Sequence, residues 1–266
     1  MSDARVTVAV RDLTLAFEAG KTVLERVSLA VGEREFVSLV GPSGCGKTTL
    51  LNLMAGLVPV PSSGSIEVLG GAPRLGHQGI AYQLARDSLL PWRDALGNAS
   101  YGMQVRGVAR EEREARARAM LAKVGLASFE RTLPKALSHG MRQRVALART
   151  FALDAPLLLM DEPFGALDAQ TKLTLEDQLL QLYQAEQRTV VFVTHDLAEA
   201  VALSDRVVIM SARPGRIVAD VPIDLPRPRS VRALQKDPSF HELYARVWTH
   251  LEAGWGGNDI DEVNHG

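Results

Sequence analysis

With 266 residues, 46% of them hydrophobic and 23% charged, the chain can bury a large core, as one big domain or two small ones. A net charge of −1 argues against a general nucleic-acid binder, and the single cysteine, Cys45, excludes an intrachain disulfide and fits a reducing compartment. The N-terminal "MSDARVTVAV" lacks a signal peptide's apolar core, and no stretch approaches the ~20 apolar residues that cross a bilayer, so a soluble intracellular protein is expected, its membrane role, if any, reached through a partner.

In chain order, "VTVAVRDLTLAF" (6–17), "VLERVSLAV" (23–31) and "SGSIEVLG" (63–70) alternate apolar and polar residues and predict an antiparallel side sheet. "EFVSLVG" (35–41) is apolar on both faces, which suits a buried parallel strand, and a helical pattern follows at 48–57. Residues 94–137 hold no strand pattern and predict a helical insertion. Within it, Glu112 stands four before Arg116 and Glu114 four before Arg118, so "REEREARARAM" (110–120) reads as an exposed, salt-bridged helix and not a binding patch. Beyond it, helical patterns at 140–153 and 169–186 alternate with the apolar runs "LLLMDEP" (157–163), "TVVFVTH" (189–195) and "RVVIMS" (206–211). Such alternation predicts an α/β sheet covered on both sides. The tail "GWGGNDIDEVNHG" (254–266) is glycine-rich and acidic and is expected to fray.

The strongest chemical signal is "GPSGCGKTT", comprising Gly41, Pro42, Ser43, Gly44, Cys45, Gly46, Lys47, Thr48 and Thr49. It fits the phosphate-loop pattern and stands between a predicted strand and a predicted helix. Its backbone N–H groups and the helix N-terminus would cradle phosphates, Lys47 would reach the β- and γ-phosphates, and the Thr48 hydroxyl would hold Mg²⁺. A plain glycine-rich turn explains neither the Lys-Thr pair nor the flanks. The helix N-terminus also predicts a lowered pKa for the Cys45 thiol. Asp161, ending an apolar strand, is placed to hold Mg²⁺ through a water, and Glu162 to orient and deprotonate an attacking water. His195 closes the strand "TVVFVTH" at the same sheet edge, where ligands of open α/β sheets collect. "ALSHGMRQRV" (136–145) reads either as an ordinary helix start or as an anion-receiving one.

Taken in order, the phosphate loop 41–49, Gln83, residues 137–141, the Asp161–Glu162 strand end, "GALD" (165–168) and His195 resemble the ATPase subunit of ATP-binding cassette (ABC) transporters. The resemblance covers most of the chain, from Phe17 to His195. It implies an α/β P-loop NTPase core with a mainly parallel sheet, an N-terminal antiparallel β subdomain and a helical subdomain inserted at about 84–150. These would form one domain over 1–230, followed by a C-terminal helix and flexible tail over 231–266. It implies ATP and Mg²⁺ as ligands, and a head-to-tail pair of copies with each ATP between one copy's phosphate loop and the other's signature. Ser138 and Gly140 would then touch the γ-phosphate across the dimer, and Asp168 would connect the two sites. Gln83 would sense Mg²⁺ and the transport subunit, and Phe17 would stack on adenine. Lys47, Glu162 and His195 would carry the catalysis.

Three letters depart from the family pattern: Phe17 for tyrosine, Met141 for glutamine and His139 for glycine. Phe17 keeps the stacking face. His139 is expected to be tolerated, because Ser138 and the Gly140 N–H already supply the donors. A finer resemblance, carried by "LLPWRDALGN" (89–98), "SARPGRIVADVPIDLPRPR" (211–229) and "DPSF" (237–240), is to the nitrate/sulfonate/taurine importer branch. That branch implies two membrane permease subunits, an external solute-binding protein, a peripheral location on the cytoplasmic face of the inner membrane, and no nucleic-acid partner. Trp92 lies where the family meets its permease; core burial is the alternative. An ABC ATPase driving another transporter, a non-transport ABC ATPase, or a nucleotide-gated module without hydrolysis are the other readings.

Overall fold

The structure is a computed structural model that describes residues 5–17, 20–58, 62–165 and 167–255. The chain begins with β1 (Val6–Phe17), β2 (Lys21–Gly32), β3 (Phe36–Val40), α1 (Lys47–Met54), β4 (Ser63–Val68) and β5 (Ile80–Gln83). Between β5 and the next strand come only helices and 3₁₀ turns: α2 (Ala95–Ala99), α3 (Tyr101–Val105), α4 (Arg110–Lys123) and α5 (His139–Ala152). There follow β6 (Leu157–Asp161), α6 (Ala169–Glu186), β7 (Thr189–Val193), α7 (Leu197–Leu203), β8 (Arg206–Met210), β9 (Ile217–Pro222), α8 (Val231–Leu234) and α9 (Pro238–Trp255).

The main sheet has the order β5-β6-β7-β3-β8-β9, parallel except for β9, which runs antiparallel to β8. Every residue of β3, β6 and β7 is buried, the consequence of apolar side chains on both faces. Alternate residues of a strand point to opposite faces, so the sheet serves two cores. Val37, Leu39, Leu157, Leu159 and Val191 face α1 and the antiparallel sheet β2-β1-β4. Phe36, Val40, Leu158, Val190 and Phe192 face the helical side, where α5, α6, α7 and α9 pack. Phe36 lies edge-on to Tyr183 at a centroid distance of 5.1 Å. The C-terminal helix belongs to this second core through Phe240, Val247 and Leu251.

Two strands went unread in the sequence, β5 and β9, and both lie at sheet edges. β5 has four residues, too few for a pattern, and β9 alternates half-buried with exposed positions before Pro222. The charged helix α4 carries its anticipated pairs, Arg116–Glu112 at 3.7 Å and Arg118–Glu114 at 2.9 Å, while Ala117 and Leu121 turn inward. Trp92 is 73% exposed, contrary to the usual burial of tryptophan. Ala166 of the "GALD" segment and the tail 256–266 lie outside the described residues.

Candidate nucleotide site

Parallel strands gather their carboxyl ends at one edge of the sheet, and the candidate residues follow from that. β3 runs into the loop 41–46 and then α1, with β7 on one side of β3 and β8 on the other. The loop needs glycine where it passes close to its neighbours. A Cβ on Gly41 would come 2.6 Å from the Met210 carbonyl oxygen, and one on Gly46 (φ +107°) would lie 2.7 Å from Leu24 Cδ2. Lys47 is buried and curls back over this loop, its Nζ donating to the carbonyls of Gly41 (2.7 Å) and Pro42 (2.9 Å). Beside the loop lies an open cavity of about 300 Å³, lined among others by Val23, Ser43, Thr48, Thr49, Glu162 and Arg213.

Thr48 Oγ1 donates to Asp161 Oδ1 at 2.9 Å, tying the first turn of α1 to the end of β6. Burial pushes the Asp161 carboxyl above its usual range, against the Thr48 hydrogen bond that pulls it down. Glu162, the next residue, has φ +43°, and its N–H is fixed by the Val193 carbonyl at 2.9 Å. Its Oε2 lies 3.3 Å from His195 Nδ1. A carboxylate only accepts, so Nδ1 carries the proton in this contact. The hydrogen bond holds Glu162 below the usual carboxylate range and His195 above the usual imidazole range. Gln83 ends β5 in register with Met160, one residue before Asp161. Its side chain is 1% exposed, and neither amide atom has a hydrogen-bond partner among the described residues. An unmatched buried amide costs about 1–3 kcal/mol, so Gln83 is a buried polar group whose hydrogen-bonding capacity is unused within the described residues.

Gln83, Asp161 and His195 are not among the residues lining this cavity, and neither are the predicted residues that follow. Phe17 sits at the end of β1, 44% exposed. Ser138 takes the N-cap of α5 and accepts from the Met141 N–H at 3.2 Å; half-buried His139 opens the helix. Gly140 packs on α6, where a Cβ would lie 2.6 Å from Thr171 Cγ2. Asp168 caps α6, accepting from the Thr171 N–H at 3.0 Å. Ser138, Gly140 and Asp168 therefore form a second group, at the paired N-termini of α5 and α6.

One expectation is corrected. Cys45 is 1% exposed, and burial pushes its thiol up, outweighing the opposing charge of Lys47, whose Nζ lies 3.8 Å from the sulfur. The thiol faces the core, not the helix end. Arg213 and Val23 were not anticipated at the cavity; "SARPGR" signals a turn but not which residue of it faces the loop.

A mainly parallel sheet with a phosphate loop after β3 and two carboxylates at the end of β6, two strands away across β7, defines a P-loop nucleotide hydrolase. The ABC transporter family profile matches residues 24–165. An uncharacterized ABC transporter ATP-binding protein of Methanocaldococcus jannaschii is 47% identical over 240 residues, 87% of each chain. The taurine import ATP-binding protein TauB of Pseudomonas fluorescens is 44% identical over 246 residues, 88% of this chain and 92% of its own. Among solved structures, the dimeric ATP-binding cassette MJ0796, in a post-hydrolysis state with ADP and Pi, superposes with a TM-score of 0.71. It is 29% identical and covers 82% of this chain and 100% of its own. The chain belongs to the ABC transporter family, as an ATP-binding, ATP-hydrolysing subunit.

Proposed function

We propose that this protein powers an importer of small anionic solutes such as taurine, alkanesulfonates or nitrate, working as a head-to-tail pair on two permease subunits fed by an external solute-binding protein. The importer reading is supported by the likeness to TauB, and the pairing by the dimeric MJ0796 cassette. The permease would cover the surface that carries exposed Trp92; no described helix is long and apolar enough to cross a membrane. The pair would then sit peripherally on the cytoplasmic face.

The observation that carries the catalytic reading is the Glu162–His195 contact beside the Thr48–Asp161 pair. Lys47 exchanges its two loop carbonyls for the β- and γ-phosphates of ATP. The hydroxyl of Thr48, the orphaned amide oxygen of Gln83 and the Asp161 carboxylate are hard oxygen donors, and they fit Mg²⁺. When bound, Mg²⁺ neutralises charge on the β- and γ-oxygens. Glu162, kept ionised, accepts a hydrogen bond from the attacking water and fixes its line of approach. As the water oxygen bonds to the γ-phosphorus and the bond to the β-bridging oxygen breaks, the water proton passes to the carboxylate, and ADP and phosphate leave. His195 holds Glu162 through Nδ1. Phe17 would stack on adenine, while Ser138 and Gly140 of one copy would close on the γ-phosphate of the other, with Asp168 linking the sites.

Glu162→Gln tests this. It should keep ATP binding, lose ~10²–10⁴-fold in hydrolysis, and accumulate as an ATP-bound dimer on size exclusion. Hydrolysis within twofold of the parent removes Glu162 from the mechanism.

A further inference from the structure

The loop between β8 and β9, 211–216, is braced on three sides. Within it, the Ser211 N–H donates to the Arg216 carbonyl (2.9 Å), and Ser211 Oγ accepts from the Arg216 N–H (3.1 Å) while lying 3.2 Å from the Pro214 carbonyl oxygen. Against β2, the Gly215 N–H donates to the Val23 carbonyl (2.8 Å) and the Glu25 N–H to the Gly215 carbonyl (3.0 Å). Against the phosphate loop, the fit is tight enough that a Cβ on Gly215 would lie 2.0 Å from the Cys45 carbonyl oxygen. The segment is thus fastened directly to the loop that would cradle phosphates.

This loop carries two arginines with different fates. Arg216 pairs with Glu25 at 2.8 Å. Arg213 is exposed, makes no hydrogen bond or ion pair among the described residues, and lines the cavity with Ser43, Gly44, Lys47, Thr48 and Glu162. An ordinary surface arginine is solvated and mobile along its whole segment; this one stands on a backbone locked to the site. A guanidinium presents a planar fork of donors that matches phosphate oxygens in pairs. We propose that Arg213 is a nucleotide-binding residue that grips the phosphates shared by ATP and ADP. The inference rests on the reading of the phosphate loop as the ATP site.

Binding of Mg-ATP and Mg-ADP to purified protein, followed by calorimetry, tests it. Arg213→Ala should weaken both nucleotides about tenfold and raise KM for ATP in parallel, through loss of a charge-assisted hydrogen bond to phosphate. Arg213→Lys should recover part of the loss, a point charge replacing the fork. The melting temperature without nucleotide should stay at the parent's, because the side chain has no partner to lose. Affinities within twofold of the parent for both nucleotides overturn the proposal, as does a loss confined to ATP. Lys47→Ala serves as the control: nucleotide binding lost in Lys47→Ala but intact in Arg213→Ala sinks the Arg213 assignment alone, whereas parent-like binding in Lys47→Ala sinks the site itself.

Discussion

Cys45 is buried in the core that holds Leu24, Leu50 and Met210, with its sulfur beside Gly41. Only the thiolate attacks a maleimide, and burial disfavours it. A bulky maleimide should therefore leave the native protein unlabelled and react fully in denaturant, with mass spectrometry as readout; rapid native labelling that Mg-ATP suppresses would restore the exposed-thiol reading. The local sequence points the other way because it contains the helix start but not the strand and loop that cover the sulfur. The same division runs through the site. The positions of Lys47, Thr48, Asp161 and Glu162 were legible because each stands beside a strand end. Arg213 was not, since nothing local says that its loop is zipped to β2.

At the scale of elements, α5 and α6 meet where Gly140 lies on Thr171. The glycine is required by packing inside one copy, independently of any phosphate. Gly140→Ala drives a methyl into Thr171 Cγ2, and overpacking of this kind costs about 1–3 kcal/mol. Thr171→Ser removes that methyl and keeps the backbone N–H that Asp168 caps. The single variant should melt lower, and Gly140→Ala/Thr171→Ser should recover the melting temperature. Its hydrolysis should stay impaired, because the proposed approach to the partner's nucleotide also needs the missing Cβ. A parent-like melting temperature for Gly140→Ala would refute the tight contact. In the main sheet β3, β6, β7 and β8 announce themselves by apolar runs, whereas the edge strands β5 and β9 carry no such run.

At the scale of the whole molecule, an acidic pair is enclosed between α6 and α7. Glu176 and Glu199 are each 4% exposed, with Lys172 facing Glu199 at 3.4 Å and Asp196 at 2.7 Å, and Thr194 donating to Glu199. Burial, and then the charge of Glu199, push the Glu176 carboxyl up to about 8 from 4.5. Between those two values the folded chain holds a proton that the unfolded chain has released, so stability falls as pH rises through this window. Glu176→Gln removes the ionisation and should raise the melting temperature more at pH 8 than at pH 5, measured by calorimetry. An equal difference at both would place the proton elsewhere. Nothing in the sequence brings these residues together; only the packing of α6 on α7 encloses Glu176 with Glu199. The strand order also divides the molecule by stiffness. β3 and β7 have a hydrogen-bonded strand on each side, so their amides should exchange with solvent only in large openings of the sheet. β5 is four residues long and pairs with β6 alone, so it should open at a lower free energy. Gln83 thus sits at the end of an edge strand, while Lys47 follows β3, which is paired on both sides, and in a hydrogen-exchange measurement the Gln83 amide should exchange before those of β3.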